Sequence, residues 1–244
     1  MIQYGIDRGV ARIALDSPHN RNALSSALMN ELTGRLNDAG ADDSVRAVEL
    51  THTGGTFCAG ADLTEARVDM AEGTRRLVAL LRQIVGLPKP VVASIDGHVR
   101  AGGMGLLGAC DIALAGPAST FAFTEVRLGL APAIISLTTL PRLSARAASR
   151  YYLTGETFDA TTAARIGLVT EAVDDIDAAT HSVLDALRRA SPQGLRETKP
   201  LTTSAVTFAE ADTLTTQSAR LFASGEAREG MASFLEKRSP RWAL

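Results

Sequence analysis

Cysteine is scarce in this chain of 244 residues, which contains only Cys58 and Cys110, in no C-x-x-C motif. Two distant cysteines do not form a disulfide framework, and they favour a reducing compartment, so we expect a cytoplasmic protein. We expect both to be small core residues rather than nucleophiles. The four histidines lack the spacing of metal ligands, and we therefore expect no metal site.

Excess charge and long apolar runs are also missing. The formal net charge is −2, which gives no electrostatic preference for nucleic acid or for an anionic membrane. No run approaches eighteen apolar residues, so we expect no membrane span. The N-terminus lacks a basic stretch followed by an apolar one, so we expect no signal peptide. The sequence thus predicts neither a nucleic-acid nor a membrane partner.

Apolar residues make up 45% of the chain, enough for the core of one large domain. Residues 2–17 alternate around an Asp7-Arg8-Gly9 turn and predict a β-hairpin. Ser25 begins an amphipathic helix. Strands are also predicted at 45–53, 90–95 and 111–116, a glycine-bearing loop at 54–63, and helices at 64–87, 144–155, 159–168, 177–190 and 206–238.

Strands alternate with helices in the first half of this pattern, and helices dominate the second half. This order predicts an α/β fold with a helical C-terminal region. We place the boundary near residue 190, so that the core covers residues 1–190 and the helical region covers residues 191–244.

A glycine motif, Gly103-x-Gly105-x-x-Gly108, has the spacing of a dinucleotide-binding turn, and Glu125 follows about twenty residues later. A dinucleotide site needs a full crossover helix after this turn. Any helix here must end before the extended segment 111–116, so the unit is too short. We therefore disfavour a dinucleotide site.

Two other interpretations of the glycines remain. Small residues allow a short helix to pack closely against a neighbouring strand. Alternatively, the loops "FCAGADL" and "RAGGMG" each follow a strand, and each offers an unhindered backbone N–H. Two such donors can hold a developing oxyanion.

Several motifs, taken in order, resemble the enoyl-CoA hydratase/isomerase (crotonase) superfamily: "TFCAGADL", "KPVVASIDGHVRAGGMGLLGACDIALA", "FTEVRLGLAPA", "LTGETFDATTAARIGLVTEAV" and "REGMASFLEKR". The resemblance covers almost the whole chain. It implies a spiral of ββα repeats with C-terminal helices that assemble a homotrimer or a dimer of trimers. It also implies acyl-CoA thioesters as substrates, with coenzyme A as part of the substrate and no separate cofactor.

The resemblance also implies roles for single residues. The backbone N–H groups of Ala61 and Gly102 correspond to the family's oxyanion donors, and Glu125 corresponds to one of its two catalytic glutamates. Glu125 follows the apolar "FAF", and partial burial would raise its pKa toward the range useful for acid–base catalysis. The second glutamate position is Gly105. Ala133 occupies the place of the aspartate in dienoyl-CoA isomerases, which argues against that activity.

Further positions correspond to the family's contacts with coenzyme A. Ala59, Asp62 and Leu63 flank the first oxyanion loop, and their contacts are expected to be largely through the backbone. Arg21 is a candidate for a phosphate, and Lys237 matches a C-terminal lysine that reaches the nucleotide end, often in a neighbouring subunit. The alternative for Arg21 and Lys237 is a solvated charge without a ligand.

Three functions remain open on the sequence. The first is an enoyl-CoA hydratase that adds water across a 2-enoyl-CoA, because the motifs look like a bacterial subgroup that includes methylglutaconyl-CoA hydratase-like proteins. The second is a Δ3,Δ2-enoyl-CoA isomerase, in which a single carboxylate shuttles a proton. The third is an acyl-CoA-binding protein with little catalysis. Gly105 separates the first from the other two.

Overall fold

Two β-sheets organise the chain in the computed structural model, which describes residues 1–65, 70–203 and 206–242. The described strands are β1 (Ile2–Asp7), β2 (Val10–Leu15), β3 (Ala47–His52), β4 (Thr56–Cys58), β5 (Val91–Ile95), β6 (His98–Arg100), β7 (Ile112–Ala115), β8 (Thr120–Ala122), β9 (Phe158–Asp159) and β10 (Glu171–Ala172). The described helices are α1 (Ser26–Ala41), α2 (Met70–Gly86), α3 (Gly102–Ala109), α4 (Ser136–Thr139), α5 (Ala145–Thr154), α6 (Ala160–Arg165), α7 (Ile176–Arg189), α8 (Pro192–Thr202), α9 (Ala211–Phe222) and α10 (Gly225–Leu235).

The larger sheet has the spatial order β1-β2-β3-β5-β7-β10, and the smaller sheet has the order β4-β6-β8-β9. The predicted hairpin pairs β1 with β2 through a turn in which Arg8 and Gly9 both have positive φ. From β2 to β10 the larger sheet is parallel. Its hydrophobic core includes Ile13 and Leu50, neither of which is exposed.

Consecutive strands alternate between the two sheets. In the pairs β3–β4, β5–β6 and β7–β8, the first strand joins the larger sheet and the second joins the smaller one. A helix follows the first two pairs, α2 and then α3. The predicted spiral of ββα repeats is therefore confirmed. Because β4, β6 and β8 are parallel neighbours, the segments that follow them leave at the same edge of the smaller sheet.

The short strands are where the structure differs from the predicted elements. The segment 54–63, predicted as a loop, contains β4, and residues 98–100 form β6. Both have three residues, too few for an alternating pattern to show. The helix predicted at 64–87 is α2, and residues 66–69 of that prediction lie outside the described residues. Helix α8 was not predicted, because it is polar and has Pro200 in its interior.

The C-terminal helices pack on the rest of the chain. Helix α9 contacts α2, and α10 contacts a 3-10 turn at Glu125–Leu128. Buried Lys199 on α8 reaches the start of β7. The division at residue 190 stays a prediction. Among the described residues, no helix is both long enough and apolar enough to cross a bilayer.

Candidate active site

Ala61 lies in the loop after β4 and forms an isolated parallel bridge with Leu24. The Leu24 N–H donates to the Gly60 carbonyl at 2.8 Å, and the Asp62 N–H donates to the Leu24 carbonyl at 3.5 Å. These two hydrogen bonds use the Gly60 carbonyl and the Asp62 N–H, so the Ala61 N–H takes no part in the pairing. The donor is therefore held on an extended segment while remaining available.

Gly60 allows this loop to approach the N-terminus of α3. Its φ of +93° lies in the region that favours glycine. A Cβ on Gly60 would lie 2.7 Å from the Ala101 Cβ and 3.3 Å from the Gly102 nitrogen. Any side chain at position 60 would therefore push the two loops apart.

Gly102 is the first residue of α3, so its N–H has no acceptor within the helix. A Cβ on Gly102 would lie 3.7 Å from the Ala61 nitrogen, so the two backbone segments are neighbours. The preceding residue, Ala101, has a φ of +45°, a strained value for a residue with a side chain. Among the described residues, neither the Ala61 nor the Gly102 N–H has an acceptor. The structure thus brings the two predicted donors together.

Cys58 lies between these two loops. Its sulfur accepts a hydrogen bond from the Gly60 N–H at 3.4 Å, and a Cβ on Gly103 would lie 2.7 Å from the Cys58 Cβ. Burial raises the pKa of Cys58 and that of Cys110 to about 12, so both are neutral thiols inside the core. This agrees with the expectation that neither is a nucleophile.

Glu125 begins the 3-10 turn Glu125–Leu128 after β8. Its Oε2 atom is shielded from solvent and has no hydrogen-bond partner among the described residues. Burial raises the pKa of Glu125 to about 7, and a hydrogen bond from its own backbone lowers it only in part. The predicted upward shift is confirmed, and this carboxyl group can both accept and donate a proton near neutral pH.

Tyr152 on α5 belongs to the surroundings of Glu125. Its hydroxyl pairs with the Thr139 hydroxyl, and its ring centre lies 4.3 Å from that of Phe123. Burial, and then the charge of Glu125, raise the pKa of Tyr152. Sequence reasoning missed Tyr152, because no local pattern marks a tyrosine that meets Glu125 only in the folded chain.

Helix α10 holds the turn that carries Glu125. A Cβ on Gly230 would lie 2.5 Å from the Leu128 carbonyl oxygen, and a Cβ on Gly129 would lie 2.7 Å from the Glu226 carbonyl carbon. Backbone therefore packs directly on backbone at this contact. The position of the candidate acid–base group depends on a C-terminal helix.

Gly105 faces a filled space. A Cβ on Gly105 would lie 2.8 Å from the Ile135 Cγ2 atom and 3.4 Å from the Leu81 Cδ1 atom. Because residue 105 is glycine, it carries no carboxylate. The side chains of Ile135 and Leu81 occupy the space that a carboxylate would need. Sequence reasoning found Gly105 but not Ile135, since the two are brought together only by the fold.

The predicted coenzyme A contacts cluster around the first loop. The Ala59 N–H donates to the Arg21 carbonyl at 3.1 Å, and Arg21 is exposed. Asp62 and Leu63 follow Ala61 directly and are half-buried. Burial raises the pKa of Asp62, but hydrogen bonds from Thr64 outweigh it, so the net shift is downward and the carboxylate is ionised.

Lys237 lies apart from this cluster. It is exposed just beyond α10, and its backbone N–H donates to the Phe234 carbonyl at 3.2 Å. In the described part of the chain it has no hydrogen bond or ion pair with residues 59–63. The described residues also contain no group of three or more His, Cys, Asp or Glu side chains that could hold a metal ion.

Two sheets with alternating strands, paired N–H donors and a carboxyl group with a shielded oxygen define a protein of the crotonase fold. The model of the enoyl-CoA hydratase/isomerase family matches residues 5–243, and the chain belongs to that family. A crystal structure of an enoyl-CoA hydratase from Mycobacterium avium is 58% identical, with a TM-score of 0.93, and the match covers 99% of this chain and 98% of that one.

More distant relatives support the same family. A crystal structure of carnitinyl-CoA hydratase from Mycobacterium avium is 28% identical with a TM-score of 0.86, and the match covers 99% of this chain and 97% of that one. A Rhodobacter capsulatus protein named "Probable enoyl-CoA hydratase" is 33% identical over 99% of this chain and 97% of its own length. The family acts on acyl-CoA thioesters, and this chain is an enzyme of the hydratase/isomerase type.

Proposed function

We propose that the protein is an enoyl-CoA hydratase that adds water across the double bond of a 2-enoyl-CoA thioester. The observation that carries this proposal is Glu125, a shielded carboxyl group with a pKa of about 7, in a fold that also pairs the Ala61 and Gly102 N–H groups. The names of the relatives support hydration as the reaction.

One carboxyl group is sufficient for the proton transfers of this addition. Ionised Glu125 takes a proton from water as the oxygen forms its bond to C3. The electron pair of the double bond moves to C2 and onto the thioester oxygen, where the N–H groups of Ala61 and Gly102 stabilise the enolate. Glu125 then gives its proton to C2, which completes the addition and restores the carboxylate.

Coenzyme A is the carrier part of the substrate in this proposal, and no separate cofactor takes part. The backbone of Ala59, Asp62 and Leu63 contacts its adenine and pantetheine portions, and Arg21 contacts a phosphate. Exposed Lys237 reaches the nucleotide end of a neighbouring subunit's ligand in a homotrimer or a dimer of trimers. Light scattering at micromolar concentration tests this assembly, and a monomer would contradict it.

A second candidate is a Δ3,Δ2-enoyl-CoA isomerase, which the Ile135 side chain over Gly105 favours. Glu125 would take a proton from C2 of a 3-enoyl-CoA, and the double bond would move to C2–C3. The same carboxyl group would return the proton to C4. This reaction needs no water, so a second polar group is unnecessary.

Separate incubations with 2-enoyl-CoA and 3-enoyl-CoA distinguish the candidates. Products identified by mass and chromatography give hydration as a gain of one water and isomerisation as a change in retention without a change in mass. A 3-hydroxyacyl-CoA from the 2-enoyl substrate supports the hydratase. If both thioesters bind and neither reacts, the protein is an acyl-CoA-binding protein.

Two buried, unpaired cysteines support the proposed cytoplasmic location.

A further inference from the structure

Ile135 covers the backbone of α3 one turn beyond Gly102. The residue is 2% exposed, and its Cγ2 atom lies 2.8 Å from where a Cβ on Gly105 would be. Gly105 follows Gly102 by three residues, so the two lie on the same side of the helix. Ile135 therefore forms a wall directly beside the proposed oxyanion donor, and Leu81 extends this wall from α2.

Hydrogen bonds fix the Ile135 backbone in this place. The Thr139 N–H and hydroxyl donate to the Ile135 carbonyl at 3.0 Å and 2.6 Å. The neighbouring Thr138 hydroxyl donates to the Gly105 carbonyl at 2.9 Å, which ties the segment to α3. Both threonines are completely buried. The wall is thus a fixed part of the site.

The same contacts lead to Glu125. Thr139 pairs with the Tyr152 hydroxyl, and the Tyr152 ring packs on Phe123, two residues before Glu125. The carboxyl group and the Ile135 wall are thereby joined through one set of packed side chains.

We infer that Ile135 is a specificity-determining residue that sets the balance between hydration and isomerisation. This inference rests on the proposed function. Hydration needs a water molecule at C3, whereas isomerisation needs only Glu125 beside C2 and C4. With Ile135 over Gly105, water reaches C3 only beside Glu125, so the wall restrains hydration more than it restrains isomerisation.

Two substitutions of similar severity test this role. Ile135→Leu keeps the volume of the side chain but removes the Cγ2 methyl that covers Gly105, whereas Ile135→Val keeps that methyl and removes Cδ1. The readout is the ratio of the hydration rate on 2-enoyl-CoA to the isomerisation rate on 3-enoyl-CoA. We expect Ile135→Leu to raise this ratio by about tenfold and Ile135→Val to leave it within about twofold of wild type.

Further variants guard against a folding defect. If Ile135→Leu does not fold, Leu81→Ala takes its place. This variant opens the same wall from α2, and it should also raise the ratio of hydration to isomerisation. Ile134→Ala removes a neighbouring buried side chain that does not cover Gly105, and it should leave the ratio unchanged. Gly105→Glu alone collides with Ile135, so this substitution should raise the hydration rate only when it is combined with Ile135→Ala.

The outcomes separate the two proposals. Equal ratios in the Ile135→Leu and Ile135→Val proteins, with turnover retained, overturn the role of Ile135 and leave the proposed function intact. If Ile135→Leu does not fold, an unchanged ratio in Leu81→Ala overturns it in the same way. Absence of turnover on both thioesters in the wild-type protein overturns the proposed function and this inference with it.

Discussion

The Lys199 ammonium lies 2.8 Å from the Asp111 carboxylate, and 4% and 11% of the two side chains are exposed. Lys199 also donates to the Ile84 and Lys89 carbonyls at 2.9 Å and 3.1 Å, and Asp111 accepts from the Val91 N–H. This buried pair fastens α8 to the beginning of β5 and β7. It is the polar anchor of the C-terminal helices.

Lys199→Met should destabilise the protein by about 3–5 kcal/mol, because it leaves the Asp111 carboxylate buried without its counter-charge. Urea unfolding measures the loss. The control is Arg196→Met on the same helix, which removes an exposed ion pair with Glu197 and should change the stability by no more than about 1 kcal/mol. Equal losses in the two variants would show that Lys199 is not an anchor.

Glu125→Gln should lower the hydration and isomerisation rates by about a hundredfold or more, because the amide cannot exchange a proton. Binding of the thioester should be nearly unchanged, since its proposed contacts come from backbone N–H groups. Steady-state kinetics and calorimetry measure the two effects. Glu197→Gln, an exposed glutamate on α8, should behave like wild type. Wild-type rates in Glu125→Gln would remove Glu125 from the mechanism.

The rate should depend on pH through the same carboxyl group. Glu125 accepts a proton in its ionised form, and burial raises its pKa to about 7. We therefore expect kcat/KM to fall as the pH drops through about 7. A profile recorded between about pH 5 and pH 9 checks this. A flat profile would show that another group takes the proton.

The free energy of unfolding should follow the opposite trend and fall as the pH rises. The folded chain binds the Glu125 proton more tightly than the unfolded chain, whose carboxyl has the ordinary pKa of 4.5. Between pH 4.5 and about 7 the unfolded chain releases this proton while the folded chain still holds it, which costs the wild type stability as the pH rises. Glu125→Gln lacks this cost, so it should gain on the order of 2 kcal/mol relative to wild type between pH 5 and pH 8. Urea unfolding at both pH values measures the difference, which should be absent for Glu197→Gln.

Gly102→Ala should lower kcat by about tenfold to a hundredfold, because the methyl group meets Leu24 and enters the space beside the Ala61 nitrogen. Gly34→Ala, at an exposed position on α1, is the matched control. Nothing lies within 4 Å of its new methyl group, and it should leave kcat unchanged. If Gly102→Ala keeps the wild-type kcat, the Gly102 N–H does not stabilise the transition state.

Thioesters of coenzyme A should stabilise the folded protein, whereas NADH should not. A ligand at a hundred times its dissociation constant that binds only the folded state adds about 2.7 kcal/mol. Thermal unfolding with each ligand measures the shift. Stabilisation by NADH, with none by acyl-CoA, would favour the dinucleotide interpretation of the Gly103–Gly108 motif.

Regular elements were the most predictable part of the fold. The Ser25 cap and the 3.6-residue periodicity marked α1, and the turn at Asp7–Gly9 marked the hairpin. Strands β4 and β6 were missed because three residues are too few to show the alternation of apolar and polar residues that marks a strand. Helix α8 was missed because it is polar, with Lys199 as its buried residue and Pro200 in its interior.

The candidate site was predictable in a different way. Glu125 was identified by resemblance to the family, and only the upward direction of its pKa shift followed from the apolar residues that precede it. Ala61 and Gly102 were identified only by resemblance, because a backbone N–H has no signature of its own in the sequence. Ile135 and Tyr152 carried no signal at all, since Ile135 meets Gly105, and Tyr152 packs on Phe123 near Glu125, only in the folded chain.

The contact of Gly230 with Leu128 has a consequence for the order in which the protein matures on the ribosome. Glu125 and every strand of the two described sheets precede residues 225–235 in the chain, so those residues leave the exit tunnel later. A nascent chain can therefore complete its sheets and its N–H pair while the turn that carries Glu125 still lacks the backbone that supports it. The turn that carries Glu125 gains this support only when α10 docks, so we expect the acid–base group to be fixed in place after both sheets have formed.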